Sequence, residues 1–441
     1  MTGTLSGYAA ENYKAFAETA SLEIRPLTLL FGFNSSGKSA LLRLLPLLRD
    51  SILSDGKRPL ALTSKAARGA SFDDLKCQIS SSPVVKFGLK WQKRRTFFPR
   101  RSVSIASADF TIRDLPDLRT QVVEELRLLT SDGSEYSLVW VPSSAAGKLT
   151  TLRYIATSPG EEPLEVLADF DGLIPRLRTT KDLENPIARV LPALAVALRR
   201  LAKDVYWLQA LRGLPARRED FTGPAPTLAA DGSDIVQMLL EDESRGSTVL
   251  DEISDWYQAA TAHRLELRKG TFAGKELFSF ALVPLGSKMR GIEIVDTGEG
   301  MGQVLPVIGL LAFAKHGRLG SSPILSIEHP ELHLHTSAHP ALATLFCEVA
   351  QSSRRTSILV ETHSENFLLR VQLAIVKGEL DPKKVAIYWV RSSDEGTSAI
   401  DKIEFDNLGR PMGDRWPPGI FAETMDQSRE LVRTRQALER K

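Results

Sequence analysis

Gly32-Phe33-Asn34-Ser35-Ser36-Gly37-Lys38-Ser39 could by itself hold a polyphosphate. The string is G-x-x-x-x-G-K-[ST], the phosphate-binding loop. Gly32 and Gly37 let the backbone curl until successive N–H groups point at phosphate oxygens, from Asn34, Ser35 and Ser36 through to Ala40. The following helix N-terminus adds positive potential at the same place. Lys38 would reach the β- and γ-phosphates and the Ser39 hydroxyl would ligate Mg²⁺, so ATP and Mg²⁺ are the implied ligands. The chemistry also needs carboxylates. A suitable acidic stretch is Glu328-His329-Pro330-Glu331, 290 residues beyond Lys38. Glu328 would bind Mg²⁺ and Glu331 would orient the attacking water. His329 is the alternative base, since imidazole titrates near about pH 6.5. His363, within Glu361-Thr362-His363-Ser364, can hydrogen-bond a γ-phosphate or the water.

Buried strands must carry these groups. Pro26 to Phe31 reads as a short apolar strand running into the glycine loop, with a leucine-rich helix (Leu41, Leu42, Leu44, Leu45) behind it. Pro323 to Ile327 and Ser357 to Val360 read as further buried parallel strands that deliver their acids and His363 to the carboxyl edge of one sheet. Upstream, Asp296-Thr297-Gly298-Glu299-Gly300-Met301-Gly302-Gln303 opens the apolar helix Val304 to Ala314, and its alternate glycines suit a helix terminus facing an anion. Ras-like or AAA+ cores do not separate loop and carboxylates so widely. A long insertion must therefore interrupt the nucleotide fold.

The order of phosphate loop, insertion, glycine signature, Ile-Glu-x-Pro-Glu strand, Leu334-His335 and Glu361-Thr362-His363-Ser364 resembles ABC-type ATPase heads of the RecF, SMC and OLD-nuclease kind. Within that class it is most similar to a bacterial branch of AAA-labelled ATPases with a conserved-unknown C-terminal tail. Asn12-Tyr13-Lys14-Ala15-Phe16 resembles the N-terminal element of the class, and Trp416-Pro417-Pro418-Gly419-Ile420-Phe421 the terminal segment of the branch. The resemblance implies an α/β P-loop head with a mixed sheet, a flanking antiparallel sheet and a helical insertion. It implies two heads sandwiching two ATP molecules, with Gly298, Gly300, Gly302 and Gln303 of one subunit completing the other's site. Hydrolysis would then be coupled to dimer closure. The chain departs from the pattern in two places: His329 stands where a catalytic Glu is usual, and Gly302 where a Ser is common. Slow or partner-dependent turnover follows as an expectation.

The remaining sequence divides by period. Val84 to Trp91, Arg101 to Ile112 and Tyr136 to Val141 alternate as hairpin strands, with a turn at Ser131-Asp132-Gly133-Ser134. Ile187, Val190, Leu191, Leu194, Leu198 and Leu201 then take helical spacing. The expected division is residues 1–180 for the first part of the head with its antiparallel sheet, 181–270 for the helical insertion, and 271–441 for signature, carboxylate strand and tail. Lys90 to Arg101 interleaves basic and aromatic residues and could contact nucleic acid, though a solvated hairpin tip gives the same string. Leu208 to Arg218 resembles a segment whose arginine lies near the nucleotide; a surface loop reads equally well. His329, His333, His335 and His339 are dense enough to suggest zinc. The neighbouring carboxylates are assigned elsewhere, however, so helix-capping and subunit-contact histidines are the simpler reading.

Composition sets outer bounds. The 441 residues carry 56 Lys+Arg against 54 Asp+Glu, which argues against a wholly basic nucleic-acid binder. Two cysteines, Cys77 and Cys347, exclude a disulfide scaffold and fit a reducing, cytoplasmic setting. No apolar run approaches the roughly 18 residues of a membrane span. The expectation is a cytoplasmic Mg²⁺-dependent ATPase, a homodimer or higher homo-oligomer. It would control a separate effector (a nuclease or toxin) in anti-phage defence or DNA transactions. A non-hydrolysing ATP-bound scaffold and a self-contained DNA repair ATPase are the alternatives.

Overall fold

A computed structural model describes residues 3–413, apart from 55, 57, 93–102, 143–151, 179–183, 224–227, 247, 273, 287–289, 354 and 394. The chain opens with β1 (Thr4–Glu11), β2 (Ala20–Glu23) and β3 (Leu27–Gly32), then helix α1 (Lys38–Leu53) and the short α2 (Phe72–Leu75). A run of strands follows: β4 (Val84–Gln92), β5 (Ile105–Leu115), β6 (Thr120–Thr130), β7 (Glu135–Val141), β8 (Leu152–Thr157), β9 (Leu164–Asp171) and β10 (Ile174–Leu177). Next come α3 (Leu191–Asp204), β11 (Val205–Leu208), β12 (Glu219–Asp220), α4 (Ile235–Ser244), α5 (Val249–Thr261), β13 (His263–Phe272), β14 (Lys275–Pro284) and β15 (Ile292–Glu293). The last part holds α6 (Glu299–Lys315), β16 (Ile324–Glu328), α7 (His339–Ser352), β17 (Ser357–Glu361), α8 (Glu365–Val376), β18 (Val385–Ser392) and β19 (Ser398–Ile403).

The core sheet has the order β11-β16-β17-β3-β18-β19 and is parallel except for the last pair. Helices cover both faces, which is why β3 is buried at every position instead of alternating with polar residues. Its side chains still divide by face. Leu30 joins the hydrophobic cluster built with α1 and α3, whereas Leu27, Leu29 and Phe31 join the one built with α6, α7 and α8. Register places Leu30 opposite Glu361, and Glu361 opposite Glu328. Residues almost three hundred positions apart are thereby brought to one sheet edge.

The second sheet is an antiparallel ribbon in the order β10-β9-β8-β7-β6-β5-β4-β1-β2. It packs against α1 and α3 through inward residues such as Val85, Phe87, Leu89 and Trp91. Its hairpin strands fall where the alternating pattern put them, and it reaches further, taking in the N-terminal strands. A smaller sheet, β12-β14-β13 with β15 on β14, stands between β11 and the signature helix in sequence. The helical spacing after residue 187 becomes α3, whose end runs straight into β11, so this stretch also supplies a strand of the core sheet.

Candidate functional site

The loop 33–37 leaves β3 and enters α1 without a side-chain cap. Gly37 sits at φ 96°, in the left-handed region, and a Cβ there would stand 2.9 Å from the Phe16 ring. Phe16 is fully buried beneath the loop, and the Tyr8 hydroxyl donates to Leu41 O of α1 at 2.9 Å. The Asn12–Phe16 turn thus serves as a floor for the phosphate loop. Phe33, Asn34 and Ser35 are exposed, whereas Ser36 is buried with its hydroxyl unpartnered. Ala40 is half-buried at the start of α1.

Lys38 Nζ donates to Gly32 O at 2.9 Å and to Phe33 O at 2.7 Å, so the ammonium is already drawn over the loop. Burial lowers its pKa, and the Glu361 carboxylate works against that shift. The Ser39 hydroxyl donates to Glu361 Oε1 at 2.7 Å. Here the structure departs from expectation. Glu328, assigned to Mg²⁺ from the sequence, is held by the Arg43 guanidinium, with Nε at 2.6 Å from Oε1 and Nη2 on Oε2. Trp207 Nε1 donates to the same carboxylate at 2.9 Å. The reason is geometric: Arg43 lies one turn beyond Ser39 on α1, which packs across β16. The acid beside the Ser39 hydroxyl is Glu361, from the strand between β3 and β16.

Glu331 is buried. Its Oε1 accepts from the Thr362 hydroxyl at 2.8 Å and from the His363 N–H at 3.0 Å, while Oε2 has no partner. His329 adopts φ 41° and donates its N–H to Glu361 O at 2.8 Å. Its ring stacks on that of His363 with centroids 5.1 Å apart and 10° between planes. Burial, helped by the Lys38 ammonium and the neighbouring His329, holds His363 down at about 4, so the ring is neutral at pH 7. Burial also pushes the Glu361 carboxyl up, against the pull of His329 and Ser39.

The signature residues divide. Gly298 caps α6 and is exposed with Glu299. Gly300 and Gly302 are buried within their own chain: a Cβ at Gly300 would stand 2.2 Å from His333 O, and one at Gly302 2.5 Å from a Leu214 methyl. Gln303 is also buried, so these three cannot present themselves to a second copy as Gly298 can. Arg212, the first of three arginines in the 208–218 segment, faces neither solvent nor the phosphate loop. It donates to Gln303 O, Gln209 O, Glu328 O and His329 O, tying the signature helix to the end of β16. Burial lowers its pKa to about 10.

Arg43 escaped sequence reasoning, and the 208–218 segment was noticed without its role as a backbone tie, because no local pattern marks an arginine that will meet a strand from another part of the chain. Glu361 could have been suspected from its place at a buried strand end beside His363. His335 caps the turn before α7 through Ser337, and His339 is buried on Ser364 and Leu334 O, as capping histidines would be. Within the basic segment, residues 93–101 lie outside the described residues, as does Trp416 to Phe421. Trp91 is only 7% exposed and packs in the core, so it cannot stack on a base. No helix among the described residues is long and apolar enough to cross a membrane.

Residues 189–370 match a family described as "AAA domain, putative AbiEii toxin, Type IV TA system". That span holds the signature, the carboxylate strand and His363, and begins after the phosphate loop. No curated protein matches the chain. Among solved structures, an SMC head bound to the C-terminal winged-helix domain of ScpA is 14% identical, over 91% of this chain and 98% of that one, with a TM-score of 0.48. An SMC head with an extended coiled coil, bound to the C-terminal domain of ScpA from Pyrococcus furiosus, is 12% identical over 91% and 96%, with a TM-score of 0.44. The SMC head domain of Thermotoga maritima is 13% identical over 90% and 98%, with a TM-score of 0.38. With a phosphate-loop string on a central parallel strand, carboxylates on the strands beside it and an AAA-domain match over residues 189–370, the chain has an α/β P-loop NTPase fold.

Proposed function

We propose that this chain binds Mg·ATP between the loop 32–39 and the ends of β16 and β17, hydrolyses it, and uses the cycle to control a separate effector protein. One observation carries the reading: the Ser39 hydroxyl meets a buried strand-end carboxylate at 2.7 Å beside Lys38. The donor set suits the ligands. Ser36 Oγ, Glu361 Oε2 and Glu331 Oε2 are buried polar atoms without partners, and such atoms are costly unless something fills them. Ser39 and Glu361 would hold Mg²⁺, with Glu328 behind them fixing Arg43. Bound there, Mg²⁺ would neutralise charge on the β- and γ-phosphate oxygens.

The chain's own groups then divide the work. Lys38 exchanges its two carbonyl partners for phosphate oxygens. Glu331, anchored through one oxygen by Thr362 and the His363 N–H, keeps the other free to accept a proton from water. His363, neutral at pH 7, donates a ring N–H to the γ-phosphate. His329 stands beside it as the second candidate base. A second copy would approach through the exposed turn at Gly298 and Glu299, whose helix N-terminus stabilises negative charge. A homodimer is therefore the functional unit in this reading, and the effector is a nuclease or toxin on another chain, acting in defence or DNA transactions.

Steady-state ATP hydrolysis with Mg²⁺ tests the reading. Lys38→Ala should abolish nucleotide binding. Glu331→Gln should lower kcat by roughly 10²- to 10⁴-fold, the usual contribution of a general base, and leave ATP bound to a dimer on size-exclusion chromatography. Turnover unaffected by Glu331→Gln would reject its role. The second reading, an ATP-bound scaffold that does not turn over, draws on Arg43, which already neutralises Glu328. Tight ATP binding by the wild type with no measurable hydrolysis would favour it.

A further inference from the structure

Without nucleotide, the ends of β16 and β17 leave a set of donors facing one another. His329, Glu361 and His363 each offer a ligand atom, and these atoms all lie within 4.8 Å of one another. Donors on a tetrahedral zinc ion, about 2.0–2.1 Å from the metal, stand about 3.4 Å apart, so modest side-chain rotation closes the set. The backbone already commits to it. His329 takes the left-handed φ 41° that a residue with a side chain rarely adopts, and its N–H is tied to the carbonyl of Glu361 itself. Its Nε2 lies 3.5 Å from Glu361 Oε1.

A second observation points to a cation at Glu361, whether Mg²⁺ when nucleotide is bound or another ion when it is not. Glu361 is 2% exposed, and its Oε2 has no hydrogen-bond partner although Oε1 has Ser39. A buried carboxylate oxygen left bare is a cost that a metal ion would remove. The donor chemistry then selects the metal. Mg²⁺ prefers oxygen ligands and retains its waters, whereas two imidazoles and one carboxylate suit zinc, cobalt or manganese. Two histidines and a glutamate are also the protein ligands of a recurring class of zinc site that keeps a position open.

We propose that His329, Glu361 and His363 form a binding site for a zinc-type divalent cation in the nucleotide-free protein. The site is distinct in donor set from the histidine string 329–339 that the sequence brings to notice: two of its three ligands come from the β17 end, and His335 and His339 take no part. Because Glu361 also holds the Ser39 hydroxyl, a zinc-type ion here and Mg²⁺ at Ser39 would compete for one carboxylate. That last consequence rests on the nucleotide reading above; the site itself does not.

The test needs no nucleotide. Full-length protein, freed of any histidine tag, is titrated with Co²⁺ while its visible d–d absorption is followed, and Zn²⁺ or Mg²⁺ is then added. One saturable equivalent is expected, displaced by Zn²⁺ at matched concentration and by Mg²⁺ only in large excess. His329→Ala and His363→Ala should each weaken binding at least about tenfold, the lower bound for disturbing even the support of a metal ligand. His335→Ala should bind as the wild type does. If either ligand variant melts early, His→Gln at the same position keeps a comparable side-chain size and takes its place. Absence of a saturable Co²⁺ spectrum, equal affinity in the ligand variants, or displacement by Mg²⁺ at matched concentration would each overturn the proposal. Loss of ATP hydrolysis in Lys38→Ala with Co²⁺ binding intact would show the two readings to be independent.

Discussion

The Arg43–Glu328 pair is the least anticipated feature at the scale of single residues. Both side chains are taken out of water, and the guanidinium meets the carboxylate through two nitrogens while Trp207 supplies a third donor. Two buried charges seldom gain much net stability over an apolar pair of the same shape, because desolvation offsets their attraction. Breaking the pair is another matter, since the survivor is left charged and alone. Arg43→Ala should therefore cost about 3–5 kcal/mol, read as a lower urea midpoint. Arg43→Lys should recover little of it, because a point-like ammonium cannot reproduce the two-nitrogen contact. The Arg43→Met/Glu328→Gln double variant should lie well above the sum of the single losses. Additive losses would mean that the two residues do not depend on each other. The strand, glycine loop and helix around residues 32–39, by contrast, were legible, because they follow from a contiguous string whose signals are local. Arg43 was not, because an arginine in a leucine-rich helix looks the same whether it reaches solvent or a strand 285 residues away.

At the scale of elements, helix α6 shows why glycines in a signature need not all serve a ligand. From Val304 to Ala314 every residue is buried, so the helix is apolar all round and must be enclosed on all sides. Its first turn meets the 329–334 turn so closely that Gly300 touches a backbone carbonyl, which cannot swing aside as a side chain would. Gly300→Ala should thus cost about 1–3 kcal/mol, the usual range for overpacking, and push α6 away from the turn that carries Glu331. Gly298 makes the contrast: nothing lies within 4 Å of a Cβ there, and it occupies the cap position. Gly298→Ser should leave the thermal midpoint unchanged or slightly raised, as serine is a good N-cap residue. Equal destabilisation by both substitutions would refute the packing argument. The glycine spacing alone could not separate these roles, because a glycine needed for close packing and one needed for an anion leave the same letter in the sequence.

For the whole molecule, strands and helices were readable where period and burial agree, as in β3, β4, β17 and α3. Their assembly was not. The order β11-β16-β17-β3-β18-β19 depends on pairings between segments far apart in sequence, and the joining of β1 and β2 to the antiparallel sheet is equally long-range. One such join is electrostatic. Glu23 on β2 and Glu404 just after β19 share Arg25 and Lys402, and Arg25 also donates to Val385 O of β18 at 3.0 Å. This cluster fastens the edge of the antiparallel sheet to the core sheet. The hydrogen bond from Lys402, reinforced by the field of Arg25 and opposed by partial burial, holds the Glu404 carboxyl below its ordinary 4.5. A carboxyl lowered in the folded state binds fewer protons there than when unfolded, so its contribution is complete above about pH 4.5 and is lost as pH falls through the folded value. The groups are partly exposed, which limits the effect to about 0.2–1 kcal/mol. Glu404→Gln should therefore unfold slightly earlier than the wild type at pH 7, with the same deficit at pH 5.5. The two curves should converge below pH 4.5, and added salt should shrink the difference at neutral pH. A deficit that persists undiminished to pH 3 would show that Glu404 acts by packing and that the two sheets are joined by apolar contact alone.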